Sequence, residues 1–308
     1  MSRPGSVCVR VPAKVNLELR VGAPRADGFH DLATVFQAVS LYDDLVAAPS
    51  GGAGITCSVE GADAGLVPVD GRNLAVRAAR LLAEQVGVDE GVHLHLTKGI
   101  PVAGGMAGGS ADAAAALLAC DALWHTGLSR DELLALAARL GSDVPFALLG
   151  GTAIGTGRGE QLSPALALGE YQWVIALADH GLSTPAVYAE IDRLRAGRVL
   201  PDPQVSPTLM HALRAGDAEG LGAWMANDLE PASCSLDPGL ERTLAVGRDA
   251  GALGGLVCGS GPTALFLTRD AEHALDVAVA LTASGTAAGT RRVTGPVTGA
   301  RLVEHVRA

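Results

Sequence analysis

The sequence predicts an α+β protein with two domains, and three observations support this expectation. The chain has 308 residues, whereas a single domain usually contains about 100–200 residues. Its 48% apolar and 18% charged residues are typical of a folded chain rather than a disordered one. Strand-like and helix-like segments mix without a regular βαβ rhythm, and their pattern changes near residue 165. We therefore expect one domain over residues 1–165 and a second over residues 166–308.

The first half combines strands with helices. Alternating or continuous apolar runs bounded by glycine-rich turns predict strands over residues 6–11, 15–21, 33–39, 55–60 and 92–97. Apolar residues at helical spacing predict helices over residues 72–86, 112–124 and 129–140. The third of these helices carries a capping box, because Ser129 is followed three residues later by Glu132.

Strict alternation in residues 92–97 places His93 and His95 on the same face of a strand. A metal site with two histidine ligands is conceivable there. No third ligand lies nearby in the sequence, so we favour solvated strand histidines.

The second half is richer in helices. Strands are predicted over residues 172–178, on both sides of Gly259–Gly261, and from residue 291. Helices are predicted over residues 185–195, 207–215, 221–229, 238–250 and 271–283. Cys258 precedes a glycine and looks exposed, although a small buried side chain is the ordinary interpretation of a free cysteine.

Charge and cysteine content exclude several classes of protein. The net charge of −10, with three Trp, three Tyr and four Phe, argues against general nucleic-acid binding, which needs basic surface and stacking rings. Five cysteines without a CxxC pair indicate neither a zinc site nor a disulfide framework. Neither a signal peptide nor a membrane span is evident. We therefore expect a cytoplasmic protein, and the sequence indicates no protein partner.

A glycine-rich loop over residues 101–111, here called the glycine loop, is the strongest sign of function. It lies between a predicted strand and a predicted helix, and the first turn of a helix has free N–H groups that bind anions. Gly104, Gly105, Gly108 and Gly109 would let phosphate oxygens approach the backbone, and Ser110 adds a hydroxyl. The sequence therefore favours a phosphate or nucleotide site over a plain surface loop.

Two common phosphate motifs do not fit. The glycine loop has the glycine spacing of a Walker A motif, but Ser110 stands where that motif requires lysine. Residues 259–264 match the letters of a dinucleotide fingerprint, yet a strand-like segment follows where a helix is required.

Lysine is rare in this chain, which has 23 basic residues of which only Lys14 and Lys98 are lysines. A compact ammonium fits tight sites that a planar guanidinium does not fit, so each lysine is a candidate for a special role.

Lys14 and Asn16 lie on one face of a predicted strand, and Asp143 precedes an apolar segment, so each needs a polar partner. Lys14 and Asp143 form either a structural ion pair or a catalytic pair. In a catalytic pair the Asp accepts a hydroxyl proton, while the Lys supports it and offsets phosphoryl charge.

Several stretches resemble the GHMP kinase superfamily, in family order and over most of the chain. They are residues 12–17 (PAKVNL), 25–37 (RADGFHDLATVFQ), 101–112 (PVAGGMAGGSAD), 141–146 (GSDVPF) and 259–262 (GSGP). The resemblance implies a two-domain fold. The N-terminal domain would be ribosomal S5 domain 2-like with a left-handed βαβ crossover, and the C-terminal domain would be ferredoxin-like. It also implies an ATP-dependent kinase. The second stretch is typical of the members that phosphorylate a cytidyl-diphosphate polyol in isoprenoid synthesis.

The resemblance implies roles for individual residues. Lys14 and Asp143 match the catalytic pair, and Asn73 and Lys98 match positions beside the adenosine. The ATP loop is matched by Pro101, Val102, Ala103, Gly104, Gly105, Met106, Ala107, Gly108, Gly109, Ser110 and Ala111. The acceptor site is matched by Asn16, Phe29, His30, Arg158 and Pro185, of which Phe29 and His30 would stack on and hydrogen-bond the cytosine.

Three positions depart from the family pattern. Phe29 replaces a tyrosine and keeps only the stacking ring. Ala107 replaces a loop glycine, which costs about 1 kcal/mol or more if the backbone there is strained. Ala111 replaces a serine and leaves Ser110 as the only hydroxyl of the loop. We expect Mg²⁺ to accompany ATP, without assigning a protein ligand to it.

Other functions remain open at this point. The chain could be another GHMP kinase, such as a homoserine or mevalonate kinase, whose acceptor carries no nucleobase. It could also be a non-catalytic nucleotide-binding module in which Lys14 and Asp143 form a structural pair.

Overall fold

A computed structural model describes residues 5–52, 54–61 and 63–303. In the first half the strands are β1 (Val7–Pro24), β2 (His30–Pro49), β3 (Ile55–Gly61), β4 (Val92–Lys98), β5 (Thr152–Gly157) and β6 (Gln161–Pro164). The helices there are α1 (Leu74–Val86), α2 (Gly108–Trp124), α3 (Arg130–Leu140) and α4 (Val144–Leu149). The capping box at Ser129 is formed as predicted.

In the second half the strands are β7 (Tyr171–Leu177), β8 (Ala226–Asn227), β9 (Gly254–Val257), β10 (Ala264–Thr268), β11 (Gly289–Gly295) and β12 (Arg301–Val303). The helices are α5 (Thr184–Leu194), α6 (Pro207–Ala215), α7 (Ala218–Trp224), α8 (Glu230–Leu236), α9 (Gly239–Asp249) and α10 (Ala271–Ser284). The predicted helix over residues 221–229 is confirmed only as far as Trp224, where α7 ends. The chain there leaves α7 and forms β8 before α8 begins.

The larger sheet has the order β12-β1-β2-β4-β3, with β5 on β2, β6 on β5 and β8 on β1. Strands β3 and β4 are parallel and connected through α1, and the β1–β2 and β2–β4 pairs are antiparallel. One strand spans the two segments predicted on either side of Pro12, because Pro12 sits at a register shift where its missing N–H is tolerated.

The smaller sheet is antiparallel, in the order β11-β7-β10-β9, with α9 and α10 packed against it. Two strands from the second half of the chain, β8 and β12, pair with β1 and so belong to the larger sheet. The α+β class is confirmed. The division at residue 165 stays a prediction.

Helix α2 fills the centre of the larger unit. It is rich in alanine and buried on almost every side, where it packs on α1, β1 and β2. Small side chains let these elements approach closely, and an apolar surface all round suits a central position. This position fixes the start of α2, which faces the cleft described below.

No helix in the described ranges is long and apolar enough to cross a membrane. The expectation about a signal peptide concerns the start of the chain, which lies partly outside these ranges.

Candidate active site

Lys14 lies on β1 and points into a cleft between the two halves of the chain. Its Nζ donates a hydrogen bond to Asn16 Oδ1 at 2.8 Å. Asn16 Nδ2 donates in turn to Thr34 Oγ1 at 2.8 Å, and Thr34 is held by a backbone carbonyl. The Phe36 ring lies 5.4 Å from the ammonium. These contacts fix the direction of the Lys14 side chain, only 10% of which is exposed.

Asp143 immediately precedes α4 and faces Lys14 across the floor of the cleft. Its Oδ2 lies 3.7 Å from Lys14 Nζ, and 32% of its side chain is exposed. At this separation the two groups form an ion pair. The ammonium can still donate, and the carboxylate can still accept, a hydrogen bond to a bound ligand. The structure thus brings together two residues that are far apart in the sequence.

The glycine loop runs above this pair and contains three residues with positive φ, namely Ala103, Gly105 and Ala107. Ala107, at φ 60° and ψ 34°, is in the left-handed region, which costs a non-glycine residue about 1 kcal/mol. Helix α2 begins directly after it at Gly108. The prediction that Asp112 opens this helix is wrong by one turn, because Gly108, Gly109 and Ser110 already adopt helical conformation.

The glycine loop is anchored on the turn between β9 and β10. A Cβ on Gly105 would lie 2.3 Å from Cys258 O, and a Cβ on Gly259 would lie 3.6 Å from Lys14 Nζ. The weak GSGP motif therefore forms a wall of the cleft. Cys258 is fully buried rather than exposed, and this burial raises the pKa of its thiol.

The cleft has a volume of about 650 Å³. It is lined by Lys14, Asn16, Phe29, His30, Pro101, Ala103, Gly104, Gly105, Ala107, Gly108, Gly109, Ser110, Asp143, Arg158 and Pro185, all residues that the sequence analysis named. A side pocket of about 220 Å³ adjoins it, sharing Pro101, Ala103 and the start of α2, and is lined in addition by Asn73, Lys98 and Val102. Met106 and Ala111 line neither space, because each is 1% exposed within the core.

Lys98 borders the side pocket, but its ammonium is already paired. It donates to Asp43 Oδ2 and, at 2.7 Å, to Asp112 Oδ2, and all three side chains are almost fully buried. Burial opposes its charge, yet the two carboxylates outweigh this effect and raise the pKa of Lys98. Asn73 is engaged as well, since it caps α1 at Ala75 N and donates to Pro68 O.

The far end of the cleft is aromatic. The Arg158 guanidinium lies 4.8 Å from the centre of the half-exposed Phe29 ring. His30 packs on Tyr188, with ring centroids 5.0 Å apart, and its Nε2 lies 2.9 Å from Asp192 Oδ1. Burial raises the pKa of the Tyr188 hydroxyl to about 12, with a smaller contribution from the charge of Asp143.

Sequence reasoning missed Thr34, Tyr188, Asp192 and Ser260 at this site. Tyr188 follows Pro185 by three residues on α5, so helical spacing could have suggested it. Asp192 lies one further turn along the same helix. Thr34 and Ser260 lie in the family-like stretches at residues 25–37 and 259–262, and this position could have indicated them.

The two strand histidines are engaged by the neighbouring strand. His93 and His95 both hydrogen-bond Ser58 on β3. Within the described part of the chain, no group of three His, Cys, Asp or Glu side chains could hold a metal ion.

Comparisons with known proteins agree with this geometry. The family model described as the GHMP kinases N-terminal domain matches residues 73–151, and the GHMP kinases C-terminal model matches residues 209–287. The 4-diphosphocytidyl-2-C-methyl-D-erythritol kinase of Streptomyces coelicolor is 58% identical over 300 residues, which cover 97% of this chain and all of the relative. The kinase of the same name from Thermobifida fusca is 57% identical over 309 residues, covering 98% of this chain and all of the relative.

Solved structures share the architecture. A crystal structure of 4-(cytidine 5'-diphospho)-2C-methyl-D-erythritol kinase superposes with a TM-score of 0.74 at 37% identity, covering 93% of this chain and 98% of that one. Homoserine kinase from Cytophaga hutchinsonii superposes with a TM-score of 0.76 at 22% identity, covering 98% and 99% of the two chains. The second similarity concerns the fold alone.

The fold and the cleft define an ATP-dependent phosphotransferase, so a non-catalytic module is no longer an alternative. The chain belongs to the GHMP kinase superfamily and, within it, to the family of the 4-diphosphocytidyl-2-C-methyl-D-erythritol kinases.

Proposed function

We propose that this chain transfers the γ-phosphate of ATP to the 2-hydroxyl of 4-diphosphocytidyl-2-C-methyl-D-erythritol, in isoprenoid precursor synthesis. The observation that carries this proposal is the Lys14–Asp143 pair, with its 3.7 Å separation. It lies in one cleft between the glycine loop and the aromatic end formed by Phe29 and His30. The names of the relatives support the choice of acceptor.

Asp143 acts as the general base. Its carboxylate accepts the proton of the 2-hydroxyl as the hydroxyl oxygen bonds to the γ-phosphorus, while the bond from that phosphorus to the β,γ-bridging oxygen breaks and ADP leaves. Lys14 supports the carboxylate and offsets negative charge on the phosphoryl oxygens. Its hydrogen bond to Asn16 keeps the ammonium in place through the transfer.

The start of α2 holds the phosphates. Its first N–H groups, at Gly108, Gly109 and Ser110, have no helical partner and face the cleft, and the helix dipole favours anions there. We propose that Mg²⁺ enters as part of the Mg·ATP substrate, where it would offset negative charge on the phosphates.

The aromatic end takes the cytidyl group. The Phe29 ring, which lacks the tyrosine hydroxyl, retains a flat apolar face for the base. Arg158 stacks on this ring and, among the described residues, has no carboxylate within ion-pair distance of its guanidinium. We propose that Arg158 meets the diphosphate of the acceptor, with Pro185 closing the wall beside it.

The decisive experiment measures ADP release with a panel of acceptors. We expect turnover with the cytidyl-methylerythritol compound and none with homoserine or mevalonate, and we expect CMP to compete with the acceptor. Failure of millimolar CMP to compete, together with turnover of a small hydroxy acid, would assign the chain to another kinase reaction of the superfamily. A cytoplasmic location is part of the same proposal.

A further inference from the structure

His30 is held from both sides at the aromatic end of the cleft. Only 5% of its side chain is exposed, and its ring packs on Tyr188 at an interplanar angle of 39°. Its Nε2 lies 2.9 Å from Asp192 Oδ1, near the end of α5. No other hydrogen bond of the imidazole ring is found within the described part of the chain, which leaves Nδ1 for a molecule in the cleft.

This arrangement determines which ring nitrogen carries the proton. An ionised carboxylate only accepts hydrogen bonds, so the Nε2 that faces Asp192 must be the N–H donor. In the neutral imidazole, Nδ1 then has a free lone pair and acts as an acceptor. Without Asp192 the ring could adopt either tautomer, and Nδ1 could donate instead.

We propose that Asp192 is a positioning residue for nucleobase selection, because it fixes His30 as an acceptor toward the base. This inference rests on the proposed function, since it needs a cytidyl acceptor in the cleft. The exocyclic amino group of cytosine donates a hydrogen bond to His30 Nδ1. Uracil presents a carbonyl oxygen at the same position, where two lone pairs would face each other.

Asp192 acts through His30 and does not touch the reacting phosphate. Its loss therefore weakens recognition of the base and leaves the phosphoryl-transfer step intact. We expect Asp192→Ala to raise the KM for the cytidyl acceptor about tenfold, the effect of one hydrogen bond to a base, with kcat changed less than about twofold.

The test compares CMP and UMP as competitive inhibitors. In the unaltered protein we expect CMP to bind more tightly, and in Asp192→Ala we expect this preference to shrink about tenfold.

Asp192→Asn is the conservative variant. Its amide oxygen accepts from Nε2–H, so it should keep most of the preference. Glu190→Gln is the matched control, because Glu190 lies on the same helix but contacts Arg193 and Ser235 instead of His30. We expect its preference for CMP to be unchanged.

A second measurement detects the tautomer of the His30 ring and does not depend on enzymatic activity. The ¹⁵N chemical shifts of the His30 ring should report an Nε2–H imidazole in the unaltered protein and a mixture in Asp192→Ala. Equal weakening of CMP and UMP, or an unchanged ring tautomer in Asp192→Ala, would overturn the proposal. Failure of the proposed function itself is distinguishable, because the unaltered protein would then neither turn over the cytidyl acceptor nor bind CMP.

Discussion

At the scale of single residues, the proposed chemistry depends on two charges that the protein leaves available. The Lys14 ammonium is oriented by its hydrogen bond to Asn16. Asp143 Oδ2 lies 3.7 Å from Lys14 Nζ, and no side chain in the described ranges makes a closer polar contact with Asp143. A structural ion pair of this kind would usually be drawn into shorter, better hydrogen-bonded contact. The open geometry suits a pair that receives a hydroxyl group and a phosphate between its members.

Asp143→Asn tests the role of this carboxylate. We expect kcat to fall by roughly 10²–10⁴, the usual effect of losing a general base, while the KM for ATP stays nearly the same because the amide fills the same space. Steady-state ADP release measures both constants. Asp276→Asn, at an exposed aspartate on α10, is the control. Near-normal turnover in Asp143→Asn would remove this residue from the chemistry.

At the scale of elements, the glycine loop and the start of α2 are fixed from opposite sides. The turn before β10 holds the loop through the close approach of Gly105 to Cys258 O. Lys98, on β4, reaches the first turns of α2 through Asp112 and the β2 strand through Asp43. A helix start held in this way can present its N–H groups to a phosphate without reorganising.

Two glycine substitutions separate folding from binding. Gly105→Ala places a Cβ 2.3 Å from a backbone oxygen at a positive φ, so the free energy of unfolding should fall by about 1–3 kcal/mol. Among the described residues, the new Cβ of Gly109→Ala would approach only Leu74 Cδ1, at 3.5 Å, so this variant should keep or slightly raise stability. Its methyl group faces the cleft, however, and should raise the KM for ATP by about tenfold or more. Urea unfolding and ATP titration measure the two effects. Equal stability losses in both variants would contradict this account of the loop.

The buried carboxyl of Asp112 makes stability depend on pH. Desolvation, reinforced by nearby Asp43 and opposed by Lys98, raises the pKa of Asp112 from 3.8 to about 7. No described residue hydrogen-bonds its Oδ1. The folded state therefore holds a proton that the unfolded chain releases at lower pH, so this group's contribution to stability falls as pH rises from about 4 to 7.

Asp112→Asn removes this titration. We expect the stability of the unaltered protein relative to Asp112→Asn to decrease between about pH 4 and pH 7, measured by urea unfolding at each pH. A difference between the two proteins that is constant over this range would show that the carboxyl does not titrate there. Asp121→Asn, a change at a partly buried aspartate farther along the same helix, is the control for loss of a carboxylate in α2.

At the scale of the whole molecule, the two halves are joined by an ion network beside the cleft. Glu18, fully buried on β1, accepts from Arg20 at 2.7 Å and from Ser206 N at 2.9 Å. Asp228 pairs with Arg20 and, at 2.9 Å, with Arg195 from the end of the α5 region. Because α5 also carries Tyr188 and Asp192, the network fixes the distance between the aromatic end and the strand that bears Lys14.

Asp228→Asn tests this connection. Loss of the charge paired with Arg20 and Arg195 should lower the free energy of unfolding by about 1–3 kcal/mol. Urea unfolding followed by far-ultraviolet and tryptophan signals should still show one coincident transition, because β8 and β12 tie the second half of the chain to the larger sheet. Asp202→Asn, at an exposed position, should change little. Two separate transitions in the variant would show that the halves unfold independently.

Most helices and strands, the capping box at Ser129 and the position of the glycine loop can be predicted from the sequence, because propensity, periodicity and capping are local properties. The sequence predicts that Lys14 and Asp143 form a pair, and the fold brings the two to a separation of 3.7 Å. The pairing of Lys98 with Asp43 and Asp112, and the burial of Cys258, follow from the tertiary structure alone. It also decided that β12 returns to β1 and that Asp192 holds His30. These outcomes depend on the packing of segments that are distant along the chain, and the affinity of one side chain for another has no local signature in sequence.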